Sequence, residues 1–132
     1  MKPSTAPNMP GPVRVLIVDD EPLFVEMIEA LLHGEQDLEV VGRASHGEDG
    51  VRLAGQLQPD VIVMDVSMPL MNGIDATRAI RGHDPDACVL ILTGGSNIAE
   101  IDNARRAGAA GFLTKDRIGS DLVSKIRSVA AR

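Results

Sequence analysis

The chain alternates between short apolar runs and longer stretches with a helical stripe. Val13 to Val18, Val61 to Met64, Val89 to Leu92 and the segment around Phe112-Leu113 are rich in Val, Ile and Leu. The run Val61-Ile62-Val63-Met64-Asp65 is four apolar β-formers closed by a carboxylate. A run that apolar reads as a strand covered on both faces of a parallel sheet. The carboxylate at its end costs free energy unless it sits where the strand meets solvent.

Between the strands the spacing changes to that of helices. Residues 22–33 carry Phe24, Met27, Ile28, Leu31 and Leu32 at i, i+3, i+4, i+7 and i+8, with Pro22 in the first turn. A strand over Leu38 to Gly42 follows, then a weaker helix over about 47–57 that contains Gly50 and Gly55. Pro59-Asp60 stops it and starts the third strand. Pro69 bars helix just after Asp65, and Asn72-Gly73 opens a helix over about 73–82. Asp84-Pro85 turns into the fourth strand. A short helix over about 96–107 places Ile98 and Ile101 inward and stops at Gly108. A strand over about 110–113 precedes a last helix over about 117–130, striped by Ile118, Leu122, Ile126 and Val129. Five βα units predict an α/β protein with a parallel sheet and helices on both faces.

The strand ends carry the chemistry. The first run ends in Asp19-Asp20-Glu21, the third in Asp65, the fourth in Thr93 and the fifth in Thr114-Lys115. In open α/β sheets the ligand crevice lies outside the carboxyl ends of the strands. Acids, a hydroxyl and an amine therefore converge on one sheet edge. The set suits a carboxylate that accepts a phosphoryl group beside a divalent cation.

Composition narrows the classes. A length of 132 residues predicts one domain, 13–131, behind a loose tail over 1–12 that holds Lys2, four prolines and Gly11. The tail has no apolar core for a signal peptide, and no stretch approaches the roughly 20 apolar residues of a membrane helix. Net charge −6 argues against this chain itself holding nucleic acid. Cys88 is the single cysteine, which excludes an internal disulfide and fits a reducing, cytoplasmic compartment. His33, His46 and His83 lack metal-ligand spacing and are expected at the surface.

Several segments in the right order resemble the receiver domain of bacterial response regulators. They are Leu16-Ile17-Val18-Asp19-Asp20-Glu21-Pro22; Val63-Met64-Asp65-Val66-Ser67-Met68-Pro69 with Met71-Asn72-Gly73; Leu92-Thr93; and Gly108-Ala109-Ala110-Gly111-Phe112-Leu113-Thr114-Lys115. Leu38 to Gly42 and Gly73 to Thr77 further resemble receivers of the NarL/FixJ group, which carry a LuxR-type helix-turn-helix output domain. The resemblance implies a flavodoxin-like, doubly wound (βα)5 fold with strand order 2-1-3-4-5. It implies Asp65 as phosphoacceptor. Asp19, Asp20, Asp65 and the Ser67 carbonyl would hold Mg²⁺. The Thr93 hydroxyl would bind a phosphoryl oxygen, Lys115 would pair with the phosphoryl group and Asp65, and Phe112 would be the aromatic that turns inward on activation. The implied partners are a sensor histidine kinase, a second copy on phosphorylation, and DNA only through an output domain that would begin beyond Arg132; the alternative is a stand-alone receiver acting through protein–protein contacts. Such a chain promotes its own phosphotransfer and is not an enzyme toward an independent substrate.

The residues support that reading on physical grounds. A carboxylate and a phosphate donor are both anions; Mg²⁺ accepts few carboxylates and welcomes phosphoryl oxygens. Lys115 supplies a compact charge with three donors. Three departures from the pattern stand out. Asp116 rather than Pro follows Lys115, so no cis bond is expected there. Gly94-Gly95 follows Thr93 and loosens that loop, and Phe112 lacks the hydroxyl of a tyrosine. A flavin carrier of the same fold would need a Ser/Thr/Gly-rich loop where Asp19-Asp20-Glu21-Pro22 stands, and no Trp or Tyr is present to stack a flavin. An aspartate-nucleophile phosphatase would put two acids two residues apart after the first strand, a spacing absent here. A receiver-like domain that is never phosphorylated would not need the complete acidic set.

Overall fold

The computed structural model describes residues 11–95 and 97–131. Of the tail expected over 1–12, only Gly11 and Pro12 are described, and both are exposed. The elements alternate as β1 (Val13–Val18), α1 (Pro22–His33), β2 (Leu38–Ala44), α2 (Gly47–Leu57), β3 (Val61–Asp65), α3 (Gly73–His83), β4 (Val89–Thr93), α4 (Ile98–Arg106), β5 (Gly111–Thr114) and α5 (Ile118–Ala130), with a 3-10 turn over Lys115–Arg117. The five strands are parallel in the order β2-β1-β3-β4-β5. This is the doubly wound, flavodoxin-like arrangement expected of the sequence.

Alternation along the strands builds two cores. Val15, Ile17, Val63, Leu90 and Leu92 face α1 and α5, where they meet Val25, Ile28, Leu32, Ile118, Leu122 and Ile126. Leu16, Val18, Ile62, Met64 and Ile91 face the other way, onto Ala76 and Ile80 of α3 and Ala104 of α4. All five residues of β3 are buried, as are all five of β4. Each Val, Ile or Leu so covered is worth about 1.5–3 kcal/mol, which makes these central strands the rigid platform for whatever their ends carry.

The structure corrects the expected pattern in places. Ile98 is 82% exposed and Met27 41% exposed, so neither belongs to a core. Ile98 is the first residue of α4, whose one buried residue is Ala104, and α1 is buried through Val25, Ile28 and Leu32 instead. α4 is shorter than the expected 96–107, and Ala104 is its one buried residue. β2 runs on to Ala44 past an irregularity in its pairing with β1, between Val15 and Leu16. β5 lies one residue later than expected, and a 3-10 turn occupies the start of the expected last helix. Cys88 precedes β4, half-buried, with its Sγ 3.3 Å from the Val129 carbonyl. The three histidines are exposed, and His46 caps α2 through Nδ1.

Local chemistry fixes the helix ends. Asn72 and Asn97 accept from the backbone N–H three residues on, which caps α3 and α4. α4 ends in a Schellman motif: Gly108 N–H donates to the Arg105 carbonyl and Ala109 N–H to the Ala104 carbonyl, both at 3.0 Å. Gly108 makes that turn at φ +100°, a conformation that favours glycine.

Gly73 is held by a different constraint. A Cβ on it would lie 2.2 Å from the Asp65 carbonyl oxygen and 2.9 Å from Val66 Cα. The start of α3 thus rests directly on the backbone that carries Asp65. Gly73→Ala is expected to cost about 1–3 kcal/mol, the usual range for overpacking. Gly82→Ala, in the same helix but with open space around it, is expected to stabilise by up to about 1 kcal/mol. Thermal unfolding of the two variants checks the contrast; equal melting temperatures would show that the contact at Gly73 is not tight.

Candidate functional site

The carboxyl ends of the strands bring the expected residues together. Asp19 follows β1, Asp65 closes β3, Thr93 closes β4, and Lys115 follows β5. Asp19, Asp65 and Thr93 are only 2%, 1% and 1% exposed. Asp20 is exposed, at the rim. One carboxylate oxygen from each of Asp19, Asp20 and Asp65 lies within 4.8 Å of the others.

Lys115 is the counter-charge. Its Nζ is 3.0 Å from Asp65 Oδ1 and 4.0 Å from Asp19 Oδ2. It also lies 4.6 Å from the centroid of the Phe24 ring, within cation–π range. Asp65 Oδ1 accepts a second hydrogen bond from the Ser67 amide at 3.3 Å. Both contacts use Oδ1, which leaves Oδ2 without a hydrogen bond among the described residues. Asp19 Oδ1 accepts from the Glu21 amide at 2.9 Å, while Asp19 Oδ2 is buried without a hydrogen-bond partner.

Burial governs the protonation of these groups. It pushes Asp19 up from 3.8 to about 6, against the Glu21 hydrogen bond, with the Asp65 charge adding to the rise and Lys115 opposing it. Burial likewise raises Asp65, though the Lys115 hydrogen bond and charge and the Ser67 amide pull the other way. For Lys115 burial alone would lower the pKa; Asp65, Asp19 and Glu21 together outweigh it and raise it. A buried acid left short of partners beside two further carboxylates is a donor set for a hard cation, which takes oxygen ligands. The residues therefore fit a divalent ion at this position.

Thr93 and Phe112 sit at the same edge in a particular state. The Thr93 hydroxyl lies 2.7 Å from Glu100 Oε1 and 2.9 Å from the Gly95 carbonyl. Phe112 is half-buried in the core beneath α4, and the Arg105 guanidinium stands 5.6 Å from its ring centroid. Neither Glu100 nor Phe24 was expected at the site. The spacing of Phe24 places it in the α1 stripe, which gives no sign that its ring faces Lys115. The one signal for Glu100 was the Asn97-x-x-Glu100 pattern of a helix start.

The raised Asp19 has a consequence for stability. A group whose folded pKa lies above its unfolded value favours folding at low pH, and that contribution fades as pH rises through the folded pKa. For Asp19 the window runs from 3.8 to about 6. Without metal at neutral pH, Asp19→Asn is therefore expected to stabilise by about 1–3 kcal/mol, at 1.36 kcal/mol per pKa unit, and the gain should vanish below pH 4. Asp65→Asn should gain less, because it removes the 3.0 Å partner of Lys115. Melting curves of the two variants and the wild type across pH 4–8 in EDTA check this; an Asp19→Asn protein that melts lower than wild type at neutral pH would disprove the charge strain.

Comparison with known proteins agrees with this geometry. The family model of the response regulator receiver domain matches residues 15–127. The transcriptional regulatory protein YxjL of Bacillus subtilis is 38% identical over 118 residues, covering 89% of this chain and 54% of the relative. The nitrate/nitrite response regulator protein NarL of Escherichia coli is 32% identical over 120 residues, covering 91% and 56%. The crystal structure of a LuxR-family two-component response regulator from Aurantimonas superimposes with a TM-score of 0.88 at 35% identity, covering 92% of this chain and 86% of that one. The chain spans about half the length of the curated relatives it matches. With its fold, its strand-end acids and these matches taken together, the chain belongs to the response regulator receiver domain family of two-component signalling, in its NarL/LuxR branch.

Proposed function

We propose that Asp65 accepts a phosphoryl group from a phosphohistidine on a sensor histidine kinase, and that this acyl phosphate switches the surface around Phe112. The observation that carries the reading is the position of Asp65. It closes a fully buried strand, with Lys115 at 3.0 Å on one oxygen and the acids of Asp19 and Asp20 alongside. The carboxylate oxygen not engaged by Lys115 attacks phosphorus. An O–P bond forms as the P–N bond to the donor imidazole breaks, and the imidazole nitrogen keeps the electron pair. Lys115 holds Asp65 in place and then faces the added negative charge. Asp19, Asp20, Asp65 and the Ser67 carbonyl would hold Mg²⁺, which supplies charge neutralisation between two anions when bound.

The hydroxyl of Thr93 is the group that would receive a phosphoryl oxygen. Its departure from Glu100 would vacate space for the half-buried Phe112 ring to fill in this reading. The relatives YxjL and NarL are named as regulatory proteins. We take the output to be transcription through a LuxR-type helix-turn-helix domain, with dimerisation on phosphorylation. The chain turns over no independent substrate in this reading and works in the cytoplasm. No helix of the described residues is long and apolar enough to cross a membrane.

Intact-mass analysis after incubation with acetyl phosphate and Mg²⁺ tests the assignment. The wild type should gain one phosphoryl group, and EDTA should prevent it. Asp65→Asn should show no gain, since an amide cannot form the acyl phosphate. Equal labelling of the variant would remove Asp65 from the role.

A further inference from the structure

We infer that Glu100 is a positioning residue that latches the Thr93 hydroxyl out of the phosphoryl-binding site in the resting state. The inference rests on the receiver reading above. A threonine hydroxyl has one proton to donate. Here that proton faces the Glu100 carboxylate at 2.7 Å and the Gly95 carbonyl at 2.9 Å. A hydrogen bond to an ionised carboxylate is the stronger kind. Neither Asp65 nor Lys115 shares in this set; they bond to each other, Asp65 also accepts from the Ser67 amide, and Lys115 also faces Asp19 and the Phe24 ring. For Thr93 to bind a phosphoryl oxygen it must leave Glu100.

Glu100 is placed to make that departure felt. It lies in the first turn of α4, and its own amide is held by the Asn97 side chain at 3.1 Å. The carboxylate therefore ties the strand end at Thr93 to the cap of α4 across the loop between them. On the same helix Arg105 stands over the Phe112 ring. α4 thus touches both switch residues, yet buries only Ala104. A helix with so little buried apolar surface draws part of its hold at this end from the latch, a feature of the low-stability part of a fold. The latch sets the resting population, and phosphorylation competes against it.

The chain has two phenylalanines, Phe24 and Phe112, and no other aromatic residue of the Phe, Trp or Tyr kind. Fluorophenylalanine labelling therefore gives two ¹⁹F resonances with separate meanings. Phe24 faces Lys115 and reports occupation of the site; Phe112 reports the switch. The probe is beryllium fluoride with Mg²⁺, a mimic of the phosphoryl group. Glu100→Ala is expected to bind the mimic about tenfold more tightly, on the scale of one charge-assisted hydrogen bond. Its Phe112 resonance should already be displaced toward the mimic-bound position before any is added. Glu100→Gln, which keeps a neutral acceptor on the same stem, should fall between. In a Thr93→Ala background Glu100→Ala should add nothing, whereas a merely structural role in capping α4 would act equally in both backgrounds. Unchanged or weaker binding by Glu100→Ala while Phe24 still titrates, or the same gain without Thr93, overturns the latch and leaves the receiver reading intact. Failure of both resonances to respond in the wild type overturns the receiver reading and the latch with it.

Discussion

Two buried carboxylates share one ammonium, and the rest of the site follows from that imbalance. Asp19 and Asp65 are almost fully covered, and Lys115 reaches Asp65 at 3.0 Å but Asp19 only at 4.0 Å. A charge removed from water is tolerated when paired and hydrogen-bonded, and costs several kcal/mol when it is not. Asp65 is close to satisfied through Lys115 and the Ser67 amide. Asp19 keeps one oxygen without a partner, and its pKa rises to about 6. The site is therefore complete only with further positive charge. Asp19, Asp20 and Asp65 could hold a divalent cation, which would correct the deficit and, on the proposed reading, make a second anion acceptable at the same place.

Rigidity and mobility are divided along the same edge. β3 and β4 are buried at every position, and Gly73 packs the start of α3 directly onto the Asp65 backbone. The acids are thus carried on the least yielding part of the molecule. α5 is fixed by four buried apolar residues, and Arg127 joins it to Glu35 and Asp37 at 2.7 Å; those exposed ion pairs add little beyond orientation. α4 has no comparable anchor. Its ties include Ala104 beneath it, the half-buried Ile101, Glu100 to Thr93, and Arg105 over Phe112. On the proposed reading, a change of charge at the rigid acids would be relayed by the element least tightly held, and α4 is the candidate.

The sequence made the sheet and the acids legible for one reason: both rest on local patterns with strong physical warrants. Val61 to Asp65 reads as a doubly covered strand because nothing polar interrupts it, and a carboxylate can follow only at the strand end. What escaped depends on surroundings the pattern does not contain. Ile98 fits an inward stripe, but it is the first residue of α4 and stays exposed. Phe24 fits a core position, and its contact with Lys115 joins residues far apart in the chain. The reach of Glu100 back to Thr93 crosses a loop whose path no periodicity fixes. The irregular pairing of β1 with β2 passes over Val41, next to Gly42; a strand glycine often marks such a site but does not by itself place the shift.

The same groups that make the site work make it costly to fold. Replacing Asp19 by a neutral side chain would relieve the unpartnered charge, and filling the space at Gly73 is barred by the Asp65 carbonyl. Natural sequences accept such local conflicts where function needs them and offset them elsewhere. Here the offset lies in the two apolar cores on either side of β1, β3 and β4. They stabilise the sheet whatever the charge at its edge. On the proposed reading, the edge could then pass between states that differ by a proton, a cation or a phosphoryl group without unfolding the platform. A receiver needs that separation: if the acids were well satisfied in the resting state, an added phosphoryl group would find no unmet charge to exploit, and α4 would have nothing to answer.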